Sequence, residues 1–328
     1  MAYLFILTSL LLAGLGAIFL PDGESASLAS VRQTLTAPIQ QTLAKLPLSS
    51  DASLRTAQAI QAMPTEENHA PYRNWDILPP EIDAKAAVIF GAKSGKIFYE
   101  RNMRLRLPIA SLTKLATALV ALDEFLLYDP VTVTRHAVST GGDFGNLVVG
   151  ESLTVHDLLR AMLIASSNDA AVAFADHLAA AKGKTLTELM NAKAYAMHLT
   201  NTHFTSVSGL EDRNNYSTAE DLAQLFRSGF AHPTLTDILR TAEVDIQSLD
   251  GKFTHKLVTS NKLLNRFDGV VAGKTGYTSL AGGTLAILAK NPAADDDFII
   301  IILGSTNEQT RFEAAEALIN WVNQAYRW

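Results

Sequence analysis

Cysteine is absent from all 328 residues, which removes disulfides, thiolate nucleophiles and Cys-ligated zinc at once. The absence leaves the redox compartment open and is compatible with export. Missing too is any block of Lys or Arg able to track a phosphate backbone. The 27 basic residues are outnumbered by 33 acidic ones, for a net charge of -6, so no nucleic-acid partner is expected. The eight histidines include no H-E-x-x-H pair, and His198 with His203 lacks the helical spacing of a metal site. Neither metal nor cofactor is expected. No internal repeat is present.

Charge is also lacking at the start of the chain. Ala2 to Leu20, "AYLFILTSLLLAGLGAIFL", has no charged side chain and would span roughly 28 Å as a helix, close to the bilayer core. We read residues 1–22 as a single-pass membrane anchor holding an extracytoplasmic domain. A cleaved signal peptide, leaving a secreted or periplasmic protein, is the alternative, since small residues follow at Ser27 and Ala29. Residues 23–76 are rich in Ser, Ala, Thr, Gln and Pro with weak periodicity, and read as a flexible extracytoplasmic linker.

Hydrophobic residues make up 48% of the chain, enough for a sizeable core. The compact part is expected over 77–328. "AAVIF" (Ala86 to Phe90) and "IFYE" (Ile97 to Glu100) flank a Gly-containing loop and predict a hairpin. A long, mostly helical stretch follows, including "LTVHDLLRAMLIA" with Thr154 as a cap, "NDAAVAFADHLAAA" and "TAEDLAQLFRSGF". Strand-like sequence returns from about Phe253, with "AGKTGYT", "GTLAILAK" and "DFIIIILG", and an amphipathic helix closes the chain. Strands from both ends then build one sheet, and a helical subdomain over roughly 130–250 is inserted between them.

Within this frame, "PIASLTKLATALVALDEF" (Pro108 to Phe125) is anomalous. It reads as a helix, yet Ser111 and Lys114, three residues apart, share its apolar side. A serine hydroxyl is a weak nucleophile until its proton is removed, and lysine can remove it only when neutral. With 21 serines and 13 lysines in the chain, about one S-x-x-K arises from composition alone. Two further elements add weight: "SSN" (Ser166 to Asn168) at a junction between helices, and "KTG" (Lys274 to Gly276) on a strand. Asp169 reads as a first-turn helix acid, and Glu151 as a turn or helix-entry acid.

In this order the three motifs resemble those of the serine D,D-peptidases and penicillin-recognising enzymes. The blocks "PIASLTKLATALVAL", "GESLTVHDLLRAMLIASSNDAAVAFADH", "LTNTHFTSVSGL", "YSTAEDLAQL" and "GKTGYTSLAGGTLAILAK" are most similar to the D-alanyl-D-alanine carboxypeptidase family of low-molecular-weight penicillin-binding proteins. The resemblance covers about Ile77 to Trp328. It implies a β-lactamase-like α/β (α+β) fold: an antiparallel five-stranded sheet flanked by helices, with an inserted all-helical subdomain. It further implies a serine carboxypeptidase that removes the terminal D-alanine from peptidoglycan stem peptides through an acyl-enzyme, and that β-lactams acylate.

Residue by residue, the resemblance implies Ser111 as nucleophile, Lys114 as its general base and Ser166 as proton relay. Asn168, Lys274, Thr275, Gly276 and Tyr277 would contact substrate. The backbone N–H groups of Ser111 and Tyr277 would form the oxyanion hole. Gly273 departs from the pattern, because many relatives carry a bulkier apolar residue there. No E-x-x-L-N segment follows the second motif, which weakens the likeness to class A β-lactamases. A D,D-endopeptidase cleaving peptidoglycan crosslinks remains an alternative, as does, in a different class, a non-catalytic penicillin-binding sensor.

Overall fold

The computed structural model describes residues 71–142, 146–210 and 212–328. The chain divides into two units, Met1–Asn68 and His69–Trp328. The expected membrane segment lies outside the described residues, among which no helix is long and apolar enough to cross a membrane.

The centre of the second unit is an antiparallel five-stranded sheet. Its strands are β1 (Ala86–Gly91), β2 (Ile97–Arg101), β3 (Val270–Thr278), β4 (Gly282–Ala289) and β5 (Phe298–Ser305), in the order β3-β4-β5-β1-β2. The short turns between β1 and β2 and between β3 and β4 force antiparallel neighbours. The pairing of β5 with β1 (Ile300 opposite Ile89) joins the two ends of the domain.

Strand periodicity sorts the apolar side chains between two cores. Along β5, Ile299, Ile301 and Leu303 enter the core on the helical side, and Phe298, Ile300 and Ile302 the other. Both faces are covered, which is why "FIIIILG" reads as an unbroken apolar run.

The helices are α1 (Thr113–Glu124), α2 (Arg135–Val138), α3 (Val155–Leu163), α4 (Asn168–Lys182), α5 (Leu186–Ala196), α6 (Ala219–Ala231), α7 (Pro233–Leu239) and α8 (Thr310–Ala325). Thr134, Thr154, Ser167, Thr185 and Thr218 each cap a helix by accepting a hydrogen bond from a first-turn amide. Helix α8 lays Phe312, Ala315, Leu318, Ile319 and Val322 on one face of the sheet, at the spacing of an amphipathic helix. Helix α1 is instead buried from Thr113 through Ala121. A helix enclosed on all sides has no solvent face for polar residues, so Thr113, Lys114 and Thr117 must find partners inside.

Two ribbons break the helical stretch. Pro130–Thr132 pairs with Ser152–Thr154, and Glu243–Gln247 with Thr254–Val258. Strand structure therefore returns ten residues earlier than the sequence led us to expect. The alternation of Val244 and Ile246 with polar neighbours, followed by an Asp-Gly turn at 250–251, carries that hairpin.

Candidate active site

Ser111 sits in a 3₁₀ turn, Ala110–Leu112, that leads into α1. Ala110 adopts a left-handed backbone conformation (φ 48°), which is unusual for a residue with a Cβ. Lys114, one turn on, has 0% of its surface exposed. Its Nζ lies 2.8 Å from Ser111 Oγ, 2.7 Å from Asn168 Oδ1 and 2.8 Å from the Ser208 carbonyl oxygen.

The chemistry of these partners limits what the amine can do. The Asn168 amide orientation is set because its Nδ2 donates to the carbonyls of Gly141 and Gly142, at 2.9 and 2.8 Å. The oxygen of that amide and the carbonyl of Ser208 can only accept. A neutral lysine amine has two N–H groups and one lone pair. Nζ donates to all three oxygens in this geometry; in the neutral amine, two N–H groups kept on Asn168 Oδ1 and the Ser208 carbonyl would leave the lone pair facing Ser111 Oγ, the partner here that also carries a proton.

The second motif lies where α3 ends and α4 begins. Ser167 is the helix cap, its side chain accepting from the Ala170 amide at 3.1 Å. Ser166, just before it, is thereby free of the capping role and holds a left-handed conformation (φ 65°). Its Oγ accepts a 2.8 Å hydrogen bond from Lys274 Nζ. Asp169 occupies the first turn of α4 and is buried.

Lys274 and Gly276 project from the helical side of β3, an edge strand of the sheet. Burial, and secondarily the charge of Arg311, push the Lys274 amine down to about 7. Thr275 Oγ1 shares a 2.5 Å hydrogen bond with Ser260 Oγ. Gly276 is where the strand meets the Ser111 turn: a Cβ there would lie 2.5 Å from Thr284 Oγ1 and 2.8 Å from the Ser111 amide nitrogen. Only glycine permits that approach. The backbone of Ser111 is thus brought against the strand segment that carries Tyr277, whose side chain is 45% exposed.

A cleft of about 430 Å³ runs between β3 and the helical side, lined by Ser111, Ser166, Thr275 and Gly276 among others. The three motifs, distant in sequence, converge on it. Lys274 reaches Ser166 rather than Ser111, so the two lysines serve two different hydroxyls.

Several residues of this site had not been singled out from the sequence. Arg311, in the first turn of α8, is 3% exposed and donates from Nη1 to the Gly276 carbonyl at 2.6 Å. A cation at a helix N-terminus opposes the macrodipole, and that anomaly was its signal. Glu308 and Ser260 line the same cleft without a comparable signal. At Gly273 the space for a side chain is taken by Asn261, whose Nδ2 would lie 2.8 Å from an added Cβ. Glu151 is no mere turn acid: it is buried, accepts from the Val148 amide at 2.5 Å, and pairs with His255 Nε2 at 2.8 Å.

A family model described as D-alanyl-D-alanine carboxypeptidase matches residues 74–307, a span that contains all three motifs. The chain belongs to that family. It is 32% identical over 250 residues to the D-alanyl-D-alanine carboxypeptidase DacF of Bacillus subtilis, covering 74% of this chain and 63% of that one. It is 30% identical over 277 residues to a D-alanyl-D-alanine endopeptidase of Pseudomonas aeruginosa, covering 82% and 85%. The chain thus spans less than two thirds of the DacF length. Among solved structures, a D-alanyl-D-alanine carboxypeptidase of Mycobacterium tuberculosis superposes with a TM-score of 0.69 at 30% identity, covering 76% of this chain and 95% of that one. A Streptomyces DD-transpeptidase gives 0.70 at 27% identity, with coverages of 75% and 99%. The expected fold, a β-lactamase-like sheet flanked by helices, is the one observed.

Proposed function

We propose that this protein is a serine D-Ala-D-Ala carboxypeptidase that trims peptidoglycan stem peptides outside the cytoplasmic membrane. The observation that carries the reading is the Lys114 amine, 2.8 Å from Ser111 Oγ, with two further hydrogen bonds directed at groups that cannot donate. In this reading Lys114 takes the Ser111 proton as Oγ attacks the carbonyl carbon of the penultimate D-alanine. The Ser111 and Tyr277 amides hold the resulting oxyanion. The C–N bond then breaks, and the leaving amine receives a proton by way of Ser166. Water adds to the acyl-enzyme ester, releasing the shortened peptide and restoring the Ser111 hydroxyl. Asn168 orients the peptide backbone. Lys274 and Thr275, with Arg311 behind them, receive the terminal carboxylate as paired charges and hydrogen bonds. A β-lactam, which presents a strained amide and a carboxylate, acylates the same serine. The apolar run at residues 1–22 supplies the membrane anchor in this reading.

A D,D-endopeptidase is the second reading, favoured by the fuller coverage of the Pseudomonas aeruginosa relative. Incubation of the full chain with a stem pentapeptide, a crosslinked dimer and a fluorescent penicillin decides between them. Release of D-alanine from the pentapeptide is expected, and Ser111→Ala should abolish both that release and covalent labelling. Resolution of the dimer alone would assign the endopeptidase. Stable labelling with no peptide turnover would reduce the protein to a sensor, and labelling of the Ser111→Ala variant would remove Ser111 as nucleophile.

A further inference from the structure

The cleft wall that receives a carboxylate in the proposed function already holds one. Glu308 lies on the connection between β5 and α8 and lines the cleft together with Arg311. Its Oε2 lies 3.3 Å from Arg311 Nη2. The two partners have opposite settings: the Arg311 side chain is enclosed, whereas that of Glu308 is 58% exposed. The guanidinium is also held from the other end by the Gly276 carbonyl, and its Nε is buried with no partner among the described residues. Lys256 lines the cleft as well, and Glu308 is the one acid among the described lining residues.

We propose that Glu308 is an exchangeable counterion: it occupies the Arg311 guanidinium in the empty cleft and yields to the substrate's terminal carboxylate, so that it sets how strongly the site prefers an anionic chain end. The inference rests on the D,D-peptidase reading for the identity of that carboxylate. A buried guanidinium with a water-facing acid can exchange one carboxylate for another without passing through an uncompensated buried charge. Glu308 can swing into solvent at little cost because most of its surface is already there. The arrangement has a consequence for affinity. Each anion that binds does so beside, or in place of, a like charge, so the acid end of the substrate is held less tightly than Lys274 and Arg311 alone would hold it. Product leaves more readily for the same reason. Glu308 acts through Arg311 and is a positioning residue.

The test compares Glu308→Gln with the parent protein on two peptides that differ only at the chain end, a D-Ala-D-Ala acid and its carboxamide. Removing the competing charge should lower KM for the acid and widen the acid-to-amide ratio of kcat/KM by on the order of three- to tenfold, an effect that salt reduces. A ratio that is unchanged or narrowed overturns the proposal; narrowing would mean that Glu308 instead attracts a cationic substrate group. If neither peptide is cleaved although penicillin labels Ser111, the peptidase reading has failed rather than this one. The same comparison is then made on acylation rates of a penicillin acid and its methyl ester, with the same widening expected. No widening there overturns the proposal too.

Discussion

Lys274 should make the stability of this protein rise with pH across a window in which lysines ordinarily have no effect. Its folded-state value of about 7, against 10.5 in water, corresponds to about 5 kcal/mol of differential interaction. The sign follows from proton counting. Between these two values the unfolded lysine holds a proton that the folded one does not, so unfolding takes up a proton and stability increases with pH at about 1.4 kcal/mol per unit. Below the folded value both states are protonated and the full cost of burial is present. Lys274→Met keeps the volume and removes the titration. Urea unfolding of both proteins at pH 6.5 and 9.0 gives a double difference in which every other titrating group cancels. The lost hydrogen bonds to Ser166 and the Thr275 carbonyl contribute a constant offset that also cancels. The parent should gain about 2–3 kcal/mol more than Lys274→Met between those pH values. Parallel profiles would show that Lys274 titrates like a solvated lysine, and the burial argument would be wrong.

Two further outcomes follow from the packing. Gly276→Ala places a methyl 2.8 Å from the Ser111 amide. It should therefore destabilise by about 1–3 kcal/mol and slow penicillin acylation far more than that loss explains; acylation at the parent rate would refute the close approach. Glu151→Leu strands His255 without its buried partner and should cost about 3 kcal/mol. Glu151→Gln, which keeps an acceptor for the Val148 amide, should cost clearly less in the same urea titration, and equal losses would show that the pair contributes packing alone.

What was legible in the sequence was whatever repeats with a short period or sits in one short motif. The five strands, the cap at Thr154 and the order of the three motifs are all local. So was the anomaly of polar side chains on the apolar side of α1. What escaped was pairing across distance. Glu151 has the same linear context as any helix-entry acid, and only the fold brings His255, 104 residues away, to it. The hairpin at 243–258 was signalled by its alternation and Asp-Gly turn, but it followed a helical run closely enough to be absorbed into it. Ser166 and Asn168 were open to a capping interpretation on sequence alone. The structure gives that task to Ser167, the residue between them, and so leaves Ser166 for the cleft and Asn168 for Lys114.

The block "LTNTHFTSVSGL" has no catalytic side chain, yet the fold gives it a reason to be where it is. Left-handed conformations at non-glycine residues cost about 1–3 kcal/mol each and persist only when the surroundings over-determine them. Ala110 and Ser166 are two such residues; one precedes the nucleophile and the other carries the second hydroxyl. At Ala110 the over-determination is visible. Gly209, itself at φ 83°, passes so close that a Cβ on it would lie 1.9 Å from the Ala110 carbonyl oxygen. Thr113 Oγ1 donates to that same oxygen at 2.8 Å and accepts from Asn215 Nδ2 at 2.9 Å. Ser208 meanwhile supplies the carbonyl that takes one hydrogen bond from Lys114. Gly209 and Asn215 therefore clamp the strained turn while Ser208 orients the lysine. A helix start selected for stability alone would carry a capping side chain and relaxed dihedrals at this point. The 3₁₀ turn at Ser111 has neither, because the hydroxyl must face a cleft while the helix behind it stays in the core.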